Sequence, residues 1–234
     1  MLEEENARNA AASYTLPQLA RIVGTRRAQV NSWVNGSPGS HASPILNTEL
    51  RQGVKGPILG FLDLVESAWV AHFRSLGYSA QTIRRVANKL RAQQNTGRPF
   101  AYKNKFLADG KRIFQEVVME GINGVEQGLV DVMSDNFVMK RVIDQSLMDQ
   151  IFYVDDLAAE FTPLRNHRNI VVRPNVAFGR PALLRFRVPT EAIRLAYQAE
   201  HGDAEAVSQD FEIPVEAVLD AVEFENELEE RILH

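Results

Sequence analysis

The amino-acid sequence predicts a mainly α chain with a small β component (α+β). It divides into an N-terminal helix-turn-helix head, a β-hairpin centre and a C-terminal helical domain shaped like a second helix-turn-helix. Three observations carry that expectation. Apolar residues recur at helical spacing near both ends, period-two runs flank an Asp-Gly pair in the middle, and charge splits the chain in two. From Ser13 to Gln115 there are 15 Lys/Arg against four acids, a net of +11, while from Glu116 to His234 there are 10 against 23, a net of −13. A basic front half can neutralise phosphates and an acidic back half is repelled by them, so the two should serve different partners.

The chain has 234 residues, 45% of them hydrophobic, enough to bury a core in a head over 13–98, a hairpin and helix region over 99–165 and a helical domain over 166–234. Cysteine is absent, which excludes a disulfide scaffold and a thiolate site and agrees with a cytoplasmic location. No apolar run approaches the ~20 residues that span a bilayer, so no membrane partner is expected. The start, MLEEENARNAAAS, is acidic where a signal peptide is basic, and residues 1–12 read as a disordered lead-in.

Tyr14 to Gly36, YTLPQLARIVGTRRAQVNSWVNG, reads as two short helices and a tight turn. Thr15 and Gln18 hold capping-box spacing: the hydroxyl accepts from the third backbone N–H and the Gln side chain returns to the cap. Leu16, Leu19, Ala20 and Val23 share a face, and Gly24 makes the turn. Thr25 is placed to cap the second helix, with Ala28 and Val30 to Val34 in line for packing. Arg26, Arg27, Gln29 and Asn31 then point outward, residue types that read guanine and adenine edges in a major groove. With Arg21 and Thr25 they form the candidate DNA-binding set. The competing reading is a helical hairpin whose polar face is merely solvated.

Asn35 to Pro44, NGSPGSHASP, is a loop in the position of a wing. Phe61, Leu64, Val65, Ala68, Trp69 and Phe73 mark a helix that Gly77 closes, and Ser79 opens the next, with Ile83, Val86 and Leu90 inward. Arg84 and Arg85 on its outer face are candidate phosphate contacts, against a merely solvated basic face. From Phe100 to Val118 the period changes to two around Asp109-Gly110, a type I′ hairpin signal. Ile151 to Val154 and Phe161 to Leu164 read as short extended pieces, and Asp155-Asp156 between them as a solvated turn rather than a metal site.

Arg165 to Thr190 holds six arginines and no acid, broken by three prolines and a Gly. Helices follow over PTEAIRLAYQAEHG, DAEAVSQDF and PVEAVLDAVEFENELEERILH, with Ile193, Leu195, Ala196, Ala206, Val207, Val218, Val222 and Leu228 as packing faces. The last carries Glu216, Asp220, Glu223, Glu225, Glu227, Glu229 and Glu230, so it cannot lie along a phosphate-lined groove and should pack on protein. Its stripe of Val218, Val222 and Leu228 is the expected homodimer contact, since one reading helix covers only half of a two-fold site.

Two resemblances follow. TLPQLARIVG, a Gly/Pro loop and FRSLGYSAQTIRRV resemble the DNA-binding head of MerR-type regulators, a winged helix-turn-helix followed by a helix pair; the loop lacks the usual Arg and Tyr of that wing. IVVRPNVAFGRPALLRFRVPT, followed by GDAEAVSQDFEIPVEAVLDAVEFE, resembles a small domain of VapB-type antitoxins through Gly179-Arg180-Pro181, Arg187, Pro189, Gly202-Asp203 and Phe211, with Arg185 and Phe186 standing where that family has Gly-Thr. Together these imply an antitoxin that represses its own operon by binding operator DNA and neutralises a PIN-type ribonuclease toxin. Arg173, Arg180, Arg185 and Arg187 are then the candidate partner-binding residues, because guanidinium pairs well with the clustered acids of a nuclease site; alternatively they neutralise the chain's own acidic tail. A MerR-type regulator sensing a small molecule through its back half is the second reading, and an adaptor without a DNA role the third. No phosphate loop, H-E-x-x-H or G-x-S-x-G is present and the five histidines lie apart, so neither enzyme activity nor a cofactor or metal is expected.

Overall fold

The structure, a computed structural model, describes residues 2–36, 42–48, 51–53, 56–106, 112–114, 116–117 and 145–233. It is mainly α with a small β component. The head contains α1 (Leu2–Ala10), α2 (Leu16–Val23), α3 (Arg27–Asn35), an antiparallel hairpin of β1 (Arg51–Gly53) and β2 (Gly56–Ile58), then α4 (Phe61–Ser75) and α5 (Ala80–Gln94). Residues 1–12 therefore do not form a disordered lead-in. Helix α1 is fastened because Glu5 is buried, accepting from the Tyr102 hydroxyl at 2.7 Å and lying 3.5 Å from the Arg98 guanidinium.

Helix α4 is the centre of the larger core. Phe61, Leu64, Val65, Trp69 and Phe73 are fully buried, and Trp69 and Phe73 meet Phe100, Phe106 and Phe114 in a ring cluster with centroids 4.7 to 6.1 Å apart. Each such ring contributes about 1.5–3 kcal/mol by leaving water. Among these apolar rings sits an ionic group. Arg98 bonds Asp63, Asp63 accepts from the Gly60 N–H at 2.7 Å, and Glu66 accepts from the Phe100 N–H at 3.2 Å.

Among the described residues around Asp109-Gly110 there is no strand. Lys103–Lys105 and residues 112–114 and 116–117 are helical, and the Asp-Gly pair itself lies outside the described residues. Ile113, Phe114 and Val117 are all buried at helical spacing, so the longer period governs here. The central hairpin comes later: β3 (Ile151–Val154) pairs antiparallel with β4 (Leu157–Phe161). Asp155-Asp156 is its turn, with φ of 50° and 73°, the left-handed pair that a type I′ turn demands and Asp tolerates.

The tail starts with β5 (Ile170–Val171) against β6 (Ala182–Leu183), and continues through α6 (Thr190–Ala199), α7 (Ala204–Phe211) and α8 (Val215–Leu233). Ile193, Val207, Val218, Phe224 and Leu228 form its core. Leu195, expected inside, is 54% exposed, while Ala206 and Val222 are only half-buried. Burial of Val218 and Leu228 within the chain consumes the stripe assigned above to a homodimer contact. No helix among the described residues is long and apolar enough to cross a membrane.

Candidate nucleic-acid interface

The capping box of α2 forms as its spacing predicts: the Gln18 N–H donates to the Thr15 hydroxyl and the Thr15 N–H to the Gln18 side chain. Gly24 ends the helix at φ 73°, and the Thr25 N–H turns back to the Ala20 carbonyl at 2.9 Å. Closing α2 leaves Thr25 one residue too early to cap α3, and Arg26 takes the cap position instead. Gln29 performs the capping from inside the helix, its amide oxygen accepting from the Arg26 N–H at 3.2 Å and from the Thr25 hydroxyl at 2.7 Å. Thr25 and Gln29 are thus joined to each other, and Asn31 accepts from Asn35 at 2.9 Å. Ala28, expected in the core, is exposed; Val30, Trp33 and Val34 carry the packing.

Arg26 and Arg27 remain. Both are exposed at the N-terminus of α3, and among the described residues neither meets a carboxylate. The start of a helix already concentrates positive potential from its unpaired N–H groups, and two guanidiniums there add to it. The β1–β2 hairpin, in register Arg51↔Ile58, is tied to the start of α2, since Leu59 continues it by exchanging hydrogen bonds with Tyr14 at 2.8 and 2.9 Å. The head is a helix-turn-helix followed by the β1–β2 hairpin. Between 35 and 44, Ala42 carries an isolated β-bridge, and residues 37–41 lie outside the described residues.

Three expected contacts require correction or narrowing. Arg21 does not face outward: its guanidinium bonds the buried Glu225 carboxylate on α8 and lies 3.8 Å from Glu229. Arg84 donates to the Ser43 carbonyl, and its neighbour two turns on, Arg91, to that of Ile45, so this face of α5 holds the loop after α3. Arg85 is exposed on α5.

Nor do the four partner-binding arginines form one surface. Arg173 bonds Glu160 on the central hairpin and, with Arg187 and Leu184, lines a cavity of about 300 Å³. Arg185 lies over the Phe186 ring at 5.5 Å, and Arg187 is exposed with φ 61°. Arg180 faces the head across a separate cavity. None of the four pairs with the acidic last helix among the described residues.

Four of the seven acids of α8 are spent on the chain itself. Glu225 takes Arg21 through one oxygen and the Thr190 hydroxyl through the other, and Glu229 takes Arg194 at 2.8 Å. Asp220 and Glu227 grip the two ring nitrogens of buried His167 at 2.5 and 3.2 Å. Burial alone would lower the His167 pKa, but these hydrogen bonds and charges outweigh it and raise it above 6.5. This is the protein surface that the acidic helix needed, and it is the chain's own head and 164–170 loop. Glu225 gave no sign of this in the sequence, where it is one carboxylate among seven.

No family model matches the chain, and no curated protein matches it. Its backbone is similar to the crystal structure of Rv2018 from Mycobacterium tuberculosis, with a TM-score of 0.70 at 22% identity over 89% of this chain and 96% of that one. At that identity the likeness is one of fold.

Proposed function

We propose that the chain is an antitoxin that binds operator DNA through its helix-turn-helix head and neutralises a PIN-type ribonuclease through its back half. The observation that supports the DNA role most is the exposed pair Arg26 and Arg27 at the start of α3, without a carboxylate partner among the described residues, in a head that also carries a β-hairpin. Every other charged residue of the predicted set on α2 and α3 is committed elsewhere; these two are not. Two copies would read a two-fold operator, through a contact other than the consumed Val218–Leu228 stripe. For the toxin, Arg185 and Arg187 are the exposed cations best suited to a cluster of nuclease acids. A regulator that senses a small molecule is the second reading, and a cavity between head and tail favours it.

The test is selection of DNA from the region upstream of the chain's own coding sequence, together with capture of its bound protein from the native host. A specific shift that weakens with salt, and a co-purifying small nuclease silenced by the chain but not by its Arg185→Glu, Arg187→Glu variant, is the expected result. Absence of both leaves the proposal without basis.

A further inference from the structure

The cavity between head and tail has a volume of about 610 Å³, within the range of small-molecule sites. Ser13, Thr15 and Gln18 at the start of α2 form one wall; Phe178, Arg180 and Arg194 form the other. The floor is electrically closed, because Glu225 is taken by Arg21 and Thr190 and Glu229 by Arg194 and Arg21. Glu191 is exposed.

Two donors are left unused. Arg194 bonds Glu229 through Nη1, but its Nε is buried and meets no acceptor, a costly state for a charged group. Arg180 makes no side-chain hydrogen bond among the described residues. Phe178 lies on the same wall, 81% exposed, in a run where Ala177, Phe178 and Gly179 all have positive φ (49°, 55° and 79°). A left-handed phenylalanine is strained and persists only when its surroundings hold it. The hold is visible: the Gly179 carbonyl accepts from the Tyr14 hydroxyl at 2.7 Å, and a Cβ on Gly179 would stand 2.3 Å from that oxygen. The loop is pinned so that a phenyl ring and an uncommitted guanidinium face one cavity.

We infer that this cavity binds a small aromatic carboxylate, whose ring stacks on Phe178 and whose carboxylate is held by Arg180, with the Arg194 guanidinium lining the same wall. The inference is independent of the operator and toxin readings, since it uses none of Arg26, Arg27, Arg185 or Arg187.

Titration calorimetry on the full chain tests it with benzoate, salicylate and indole-3-carboxylate as probes, and benzamide and acetate as comparators. Saturable one-to-one binding of at least one aromatic acid is expected, with benzamide and acetate at least tenfold weaker. Arg180→Ala and Phe178→Ala should each weaken it at least tenfold, with unchanged circular dichroism, while Arg168→Ala on the exposed surface leaves it unchanged. Should Phe178→Ala fail to fold, Phe178→Leu, which keeps the bulk and loses the ring face, supplies the same reading. No binding of any aromatic acid at millimolar concentration, acetate binding as well as benzoate, or binding indifferent to Arg180 and Phe178 would each overturn the assignment.

Discussion

The α2–α3 pair of the head and the α7–α8 pair of the tail have the same outline: a short helix, a tight turn, a second helix. They differ in what the second helix does with its charges. Helix α3 leaves Arg26 and Arg27 exposed and without a carboxylate among the described residues, while α8 commits Asp220, Glu225, Glu227 and Glu229 to His167, Arg21, Thr190 and Arg194. Shape alone therefore says little about what such a module binds. The balance of spent and unspent charge says more: one pair leaves its cations at the surface, the other turns acids toward its own chain.

The largest break in that comparison is Glu225→Ala. It leaves the partly buried Arg21 without its main carboxylate and deprives the Thr190 hydroxyl of the same group; removing one partner of a buried pair costs about 3–5 kcal/mol. Urea denaturation should show that loss, and Arg26→Ala should show none.

Next in size is Glu66→Gln on α4. Burial pushes the Glu66 carboxyl up to about 7 against the opposing pull of Arg98, Arg91 and the Phe100 N–H, with Asp63 adding to the rise. A raised carboxyl favours the protonated fold, so its contribution is full below 4.5 and is lost as pH climbs to about 7. That loss amounts to about 3 kcal/mol. Thermal melts across this window should lose that slope in the Gln variant, which keeps the oxygen that accepts from Phe100.

Replacing both Arg26 and Arg27 by Ala sharpens the contrast at the surface. For each bidentate pairing with a base that the variant can no longer make, operator affinity should fall by about 1–3 kcal/mol, with stability unmoved. Glu216→Ala together with Glu223→Ala on α8 should leave operator affinity where it was; gel shifts at fixed salt compare the two.

The smallest effect belongs to His167. Burial opposes its charged form, yet the hydrogen bonds of Asp220 and Glu227 prevail and raise its pKa, so its stabilisation is complete below 6.5 and fades as pH rises through the folded value. Asp220→Asn should lower that folded value, read directly from the imidazole proton shifts by NMR.

Much of the helical fold was legible in the sequence. The capping box at Thr15, Gly24 as a helix stop, Ser79 as a cap and the three tail helices all rest on local chemistry, which a sequence displays. The failures share a different cause. Helix α1, Arg21 and the stripe on α8 are decided by partners far along the chain, and spacing carries no record of which acid an arginine will meet. The period-two reading around Asp109-Gly110 fails at the described residues there, which are helical, whereas Asp155-Asp156, read as a turn, closes a hairpin through Asp's tolerance of positive φ. In the candidate interface, Arg26 and Arg27 were readable; that Thr25 and Gln29 would bond each other was not, since it follows from how α2 ends.

The bond from Tyr14 to the Gly179 carbonyl joins residues 165 positions apart. During synthesis at roughly 5–20 residues per second, the head therefore waits on the order of ten seconds or more before the strand loop that covers Tyr14 has even been made. Through that interval the surface of α2 that will receive Glu225 is open, with Arg21 pointing at nothing. Slowing the ribosome between residues 36 and 225 should therefore lower the yield of folded protein.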